Sequence, residues 1–335
     1  MVNKLKHTKL IIISLILAAL MLLSSCGAAG KSYAPEDYML EMDFKDNFRI
    51  LQMGDVHLAN KDDRQIQYDF MTQTIEDSKA DLIVFTGDIF TFADKAVVKE
   101  FCKWIDAFGI PWAATFGNHD EQCYFPIDWL TSYFNKFGSN CVFKDLQDDD
   151  VYGNANYAIN LKQGGKTQAQ LIIMDSNRYD FGEIWDYDHI KEDQIAWYES
   201  IVKTTAEQSG RTVPSVAFFH IPLPEFAVAW EEAQKNTKDA ALMYGEKNEN
   251  VCCPPVNSGL FDKMLELGST KAVCCSHDHI NNFRVNYKGI ELSYGINAND
   301  RIYGDYDMMG GKVIVLHSDG TVGFEAIYET YDEVK

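Results

Sequence analysis

Short apolar runs, each ending in a cluster of polar residues, alternate with longer amphipathic runs through the first third of this chain. Phe48–Met53, Leu82–Thr86 and Pro111–Phe116 read as strands, and Arg64–Lys79 and Lys95–Phe108 between them as helices. This β-α-β-α-β order restricts the chain to an α/β fold. Further strands are expected at Asn156–Leu161, Gln170–Asp175, Ser215–Phe219, Lys271–Cys275, Gly289–Ser293 and Lys312–His317. Helices are expected at Glu192–Glu207 and Ser258–Leu267, so the chain grows richer in sheet toward its end. Residues 145–154 and 230–257 read as long loops, the second holding a short helix, and loops beside an α/β site often carry specificity; the aromatic-rich stretch 179–189 reads either as one wall of a cleft or as ordinary surface packing.

Five polar motifs follow directly on strand candidates: Asp55-Val56-His57, Gly87-Asp88, Gly117-Asn118-His119-Asp120, His220 and Ser276-His277-Asp278-His279. Open α/β sheets bind ligands at the carboxyl ends of their strands, so all five are expected on one rim. Carboxylates supply charge, neutral imidazoles suit borderline metals, and a side-chain amide adds an oxygen donor; together these types suit a two-metal site. Any one motif alone is more often a turn or a cap. Five of the eight histidines fall in these motifs, and that concentration, in this order and always at a strand end, has no structural explanation.

The order D-x-H, G-D, G-N-H-D, a late His and H-x-H resembles the calcineurin-like metallophosphoesterase superfamily over about residues 48–317. Gly87 to Phe90, His220 to Phe226, Asn257 to Phe261 and Ser276 to His279 are similar to its purple-acid-phosphatase-like branch. The resemblance implies a four-layer α/β/β/α sandwich. It places Asp55, His57 and His279 on one metal ion, Asn118, His220 and His277 on the other, and Asp88 between them. It implies His119 beside the scissile phosphate, oriented by Asp120. The implied cofactors are two divalent ions, Mn, Fe or Zn, which acidify a bridging water and clamp phosphate oxygens during in-line attack. Phosphate monoester hydrolysis is the expected activity. A phosphodiesterase with the same ligands and a non-catalytic surface binding module are the alternatives. Two departures stand out: Thr91 occupies the position of the iron-binding tyrosine of purple acid phosphatases, and Ser276 the position where a glycine is usual. The Asp-Arg-Gly of the protein phosphatases is also missing after Asp88, which counts against a protein substrate.

The N-terminus adds an address. Lys4, Lys6 and Lys9 precede an apolar run, Leu10 to Leu23, that is short for a membrane-spanning helix. Leu23-Ser24-Ser25-Cys26 resembles a bacterial lipobox, which implies a signal peptide over 1–25, lipid on Cys26, a tether over 26–43 and one domain over 44–335. An uncleaved anchor is the other reading of the same run; both place the domain outside the cytoplasm and tied to the membrane. The net charge of −20 becomes more negative when the leader lysines are removed, and such a surface repels polyanions. Nucleic acid is therefore not an expected partner, whereas a small phosphorylated substrate or a phosphorylated surface polymer is. Apart from Cys26 there are seven cysteines, an odd number without a C-x-x-C spacing, and most are expected to be small core residues.

Overall fold

A computed structural model describes residues 34–60, 64–144, 151–183, 185–299 and 302–329. The expected leader, Cys26 and the first part of the expected tether lie outside them. The strands are β1 (Met39–Asp43), β2 (Phe48–Met53), β3 (Leu82–Thr86), β4 (Trp112–Thr115), β5 (Tyr157–Gln163), β6 (Lys166–Ile173), β7 (Tyr179–Asp180) and β8 (Asp186–Tyr187). They continue as β9 (Ser215–Phe218), β10 (Ala240–Tyr244), β11 (Thr270–Cys275), β12 (Arg284–Tyr287), β13 (Ile290–Tyr294), β14 (Gly310–Leu316) and β15 (Val322–Tyr328). The α-helices are α1 (Gln65–Ser78), α2 (Lys95–Asp106), α3 (Ile127–Phe137), α4 (Glu192–Ser209), α5 (Glu225–Gln234) and α6 (Leu260–Leu267).

The continuous apolar runs become central strands buried on both faces: every residue of β3, β4 and β9 is buried. One sheet runs β15-β14-β2-β3-β4, with β2, β3 and β4 parallel. The other runs β1-β5-β6-β9-β11-β13-β12-β10, with β6, β9, β11 and β13 parallel. A single apolar core joins them, from Ile50 and Phe85 in the first sheet to Ile173, Phe218 and Cys274 in the second. Polar contacts cross between the sheets as well. Gln52 donates to the carbonyl of Cys275, Thr115 to that of Met174, and the Tyr157 hydroxyl to that of Ala114. Helix α1 packs on the first sheet and α4, α5 and α6 on the second, giving the expected metallophosphoesterase sandwich.

The expected tether needs correction at its C-terminal end. Residues 35–43 are folded: a 3₁₀ turn buries Tyr38 edge-on against Trp197, ring centroids 6.0 Å apart, and β1 pairs in parallel with β5. Alternating Leu40 and Met42 pack against the core, and that gain holds the strand to the sheet edge. The expected 230–257 loop contains the end of α5 and strand β10. All seven cysteines among the described residues are free; Cys102, Cys123, Cys274 and Cys275 are buried. No helix among the described residues is long and apolar enough to cross a membrane.

Candidate metal centre

The parallel strands β2, β3 and β4 end side by side in one sheet, and β9 and β11 end side by side in the other. The polar motifs begin where these strands stop, so the two sheets deliver their ligand candidates to one edge. Asp55, His57 and His279 form one group of buried potential ligand atoms, and Asp88, His220 and His277 form a second. Asp88 stands between the groups: its Oδ2 lies 3.1 Å from His220 Nε2 and 3.8 Å from His57 Nε2. Asn118 is buried beside the second group, its Nδ2 donating to the Tyr179 hydroxyl at 3.2 Å.

The outer nitrogens of three imidazoles are engaged by the protein. His220 Nδ1 donates to the Thr86 carbonyl at 2.8 Å and His279 Nδ1 to the Tyr303 carbonyl at 2.7 Å. A carbonyl only accepts, so each Nδ1 carries a proton and each Nε2 is the nitrogen that faces the centre. His57 Nδ1 lies 2.7 Å from the Thr91 hydroxyl, so the residue standing in place of the tyrosine supports a ligand candidate from behind. The inward Nε2 atoms of His57 and His279 are then 3.2 Å apart, as are His220 Nε2 and His277 Nδ1. Asn118 Oδ1 and His277 Nε2 are buried without any hydrogen-bond partner. Ring nitrogens crowded in pairs and an orphaned amide oxygen are a donor set that suits cations placed among them.

The charges are arranged to match. Burial alone would raise the Asp88 carboxyl, but His220 and His57 beside it hold it far below the usual carboxylate range. Burial pushes the His57 imidazole down to about 3 and drives His277 well below its usual value, keeping both in the neutral form that binds metal. At His220 burial acts in the same direction, yet the carboxylates of Asp88 and Asp55 bring it up to about 9.

Backbone geometry sets these side chains. Asp55, His57, Asp88 and His277 lie at φ of 55°, 52°, 50° and 81°, a region that residues other than glycine rarely adopt. Neighbouring loops hold them there. Asp55 N–H donates to the Gly87 carbonyl, His57 N–H to that of Asp88, and His277 N–H to the Asp55 carboxylate. Gly117 has to be a glycine because a Cβ there would lie 2.3 Å from Asp88 Oδ1. Ser276 keeps the loop intact, its hydroxyl 2.6 Å from that of Thr86 in space left by Gly54.

His119 and Asp120 divide differently from what the resemblance implies. The His119 ring meets His57 edge-on at 5.0 Å, next to both groups, and Gln122 Oε1 accepts from its Nδ1 at 2.9 Å. Asp120 does not orient it. Its carboxylate accepts backbone N–H groups from Asp88, Phe90 and Gly117 at 2.9, 2.9 and 2.8 Å, tying two ligand loops together. Burial and the charge of Asp88 push the Asp120 carboxyl up to about 7, against these three donors.

Sequence reasoning missed several supporting residues. Tyr187 sits edge-on to His277 at 4.7 Å, and Tyr303 lies flat on His279 at 4.3 Å. Asn299 donates to the Asp55 carbonyl, and Asp278 accepts the N–H of Cys252, docking the 245–257 segment on the H-x-H loop. The aromatic richness of 179–189 was the one visible signal; the other contacts depend on long-range loop placement.

A fold and a site of this kind define a metallophosphoesterase, and comparison with known proteins agrees. The family model for calcineurin-like phosphoesterases matches residues 48–281, and the chain belongs to that family. It is 30% identical over 323 residues to the probable inactive purple acid phosphatase 14 of Arabidopsis thaliana, covering 84% of this chain and 77% of that protein. With the probable inactive purple acid phosphatase 29 of the same plant it shares 31% identity over 293 residues, 77% of this chain and 73% of that protein. Phosphatase DCR2 of Saccharomyces cerevisiae is 29% identical over 265 residues, covering 70% of this chain and 44% of that protein. Among solved structures, a dimetal phosphatase from Danio rerio shares the fold with a TM-score of 0.56 at 14% identity, over 82% of this chain and 94% of that one.

Proposed function

We propose that this protein hydrolyses phosphate monoesters at a dinuclear centre of two divalent ions, Mn, Fe or Zn. Asp55, His57 and His279 would hold one ion, Asn118, His220 and His277 the other, and Asp88 both. The supporting observation is the pairing of two buried ligand groups across Asp88, with inward-facing ring nitrogens and an orphaned Asn118 oxygen. The ions would neutralise phosphate oxygens and acidify a water for in-line attack. The residues of the chain supply the rest. Asp88, held as a carboxylate, would supply negative charge to both ions; the Thr86 carbonyl, Thr91 and the Tyr303 carbonyl fix the imidazoles; and Gln122 fixes Nδ1 of His119, leaving Nε2 to move a proton at the leaving oxygen.

The test is hydrolysis of p-nitrophenyl phosphate by protein lacking residues 1–26, with Mn²⁺, Fe²⁺ or Zn²⁺ added. We expect metal-dependent turnover that Asp88→Ala abolishes and His119→Ala lowers by about 10²–10⁴-fold. Faster turnover of the bis(p-nitrophenyl) ester would favour the diesterase reading. A second reading, a metal-holding module without turnover, is motivated by the word inactive in the names of the two Arabidopsis relatives. Absence of turnover in metal-loaded protein on both esters would favour it. For the address we propose an extracytoplasmic lipoprotein anchored through Cys26. Release of Cys26→Ala into the soluble fraction supports this, and continued membrane attachment of that variant refutes it.

A further inference from the structure

Strands β7 and β8 form a two-stranded hairpin directly after the ligand-bearing edge, and its face is a ladder of rings. Phe181 stacks on Tyr179 at 5.3 Å, Tyr179 on Tyr187 at 5.0 Å, and Tyr187 meets the His277 imidazole at 4.7 Å. The ladder thus runs from the metal centre outward. Its inner end is fixed by the Asn118 contact of Tyr179 and by the Asp188 N–H bond to the Arg178 carbonyl. Its outer end is bare: Phe181 is 64% exposed and Trp185, edge-on to it at 6.0 Å, is 74% exposed.

Two observations separate this face from ordinary surface packing. Two strands of two residues cannot hold a hairpin by themselves, so the rings are kept in place by the site they border. Trp185 also sits at φ 54°, a conformation in which a bulky residue is strained, and such strain collects at functional positions. The polar recess beside the hairpin is a weaker candidate for the same role. Its Glu121 and Arg178 pair with each other, and its Asp175 carboxylate accepts the N–H groups of Asn154 and Asn177.

We propose that the Tyr179–Phe181–Trp185–Tyr187 ladder is the leaving-group subsite, and that the substrate is a phosphate ester of an aromatic alcohol whose ring stacks there. This rests on the phosphoesterase reading and narrows it. Stacking on an exposed ring strengthens binding without requiring a specific hydrogen-bond pattern, so the subsite selects planar rings as a class.

The test is calorimetric binding of three non-hydrolysable phosphonates to metal-loaded full-length protein: methylphosphonate, benzylphosphonate and its saturated analogue, cyclohexylmethylphosphonate. Benzylphosphonate is expected to bind at least about tenfold more tightly than methylphosphonate, and more tightly than the saturated analogue. In the double variant Phe181→Ala/Trp185→Ala the preference should fall below about threefold with methylphosphonate binding unchanged, while Trp185→Phe retains it. Equal binding of the benzyl and methyl compounds, equal binding of the saturated analogue, or a preference that survives the double variant overturns the inference alone. Failure of all three compounds to bind overturns the phosphoesterase reading and this inference with it.

Discussion

Asp120 gives the sharpest test of how the centre is built, because the family resemblance implies one role and the hydrogen bonds assign another. Its Oδ2 accepts from Asp88 and Gly117 N–H, and its Oδ1 from Phe90 N–H. In Asp120→Asn the single remaining carbonyl oxygen is best spent on the first two donors, and the new amide then faces the Phe90 N–H. One stranded buried N–H and the lost charge on two bonds cost on the order of 2–4 kcal/mol. Asp120→Ala strands three N–H groups, roughly 3–9 kcal/mol at ~1–3 kcal/mol each. Both loops that carry Asp88 and Asn118 would loosen, so metal content after dialysis should fall in parallel. Gln122→Ala touches only the His119 ring: stability should change by less than about 1 kcal/mol and metal content should hold, while turnover drops roughly tenfold. Urea unfolding of the metal-free proteins, metal analysis and p-nitrophenyl phosphate turnover read out the three effects. If Asp120→Asn unfolds with the wild-type midpoint and loses turnover alone, the carboxylate acts on His119 and the assignment made here is wrong.

Three further outcomes follow from single contacts. Thr91→Val removes the support behind His57, so affinity at the Asp55–His57–His279 group should fall about 10–100-fold with the other group spared, as two resolved binding events in calorimetry would show. Gly117→Ala forces a methyl group against Asp88 and should cut metal content sharply while the far-ultraviolet dichroism of the fold persists. Lys312 is wholly buried, donating to the carbonyls of Asn282 and Tyr294 and to the Ser293 hydroxyl, and burial pushes it from 10.5 down to about 7. Between those values the unfolded chain keeps a proton that the folded chain has lost, so stability rises with pH across that window. The rise should be absent from Lys312→Met in urea unfolding at several pH values.

What was legible in the sequence was whatever local pattern determines. Strand β3 is buried on both faces, and its unbroken apolar run gives its bounds directly; β2, interrupted by Arg49 and Gln52, is still apolar enough to be read. The ligand candidates were visible because each directly follows such a run. Strand β1 was hidden in what reads as a polar tether: Met39-Leu-Glu-Met-Asp43 has only a weak alternation, and its place at the sheet edge depends on β5, more than a hundred residues away. Strand β15 was missed for a related reason, as a half-buried edge strand defined by its partner β14. The role of Asp120 was misread because a resemblance transfers positions in a motif, whereas the hydrogen bonds of this chain decide what the carboxylate touches. In the 3₁₀ turn that starts at Asp120, the side chains of Asp120 and His119 diverge, one to the loops beneath and the other to Gln122. Gln122 and Tyr303 carried no signal of their own, because each becomes part of the site only when the chain around it folds onto a histidine.

The strained ligands bear on whether the centre serves chemistry or only packing. Four ligand candidates occupy left-handed backbone conformations, at about 1–3 kcal/mol each, and neighbouring loops hold all four by backbone hydrogen bonds. A sheet edge selected only for stability would place glycine or asparagine there and would pair the Asn118 oxygen. Strain and an orphaned oxygen are each unfavourable in the metal-free fold, and cations held among the crowded ring nitrogens would give that oxygen and those nitrogens a partner. In this chain the ligand geometry thus persists at a cost to stability, as a centre kept for holding metal would require, and Thr91 supports His57 from behind.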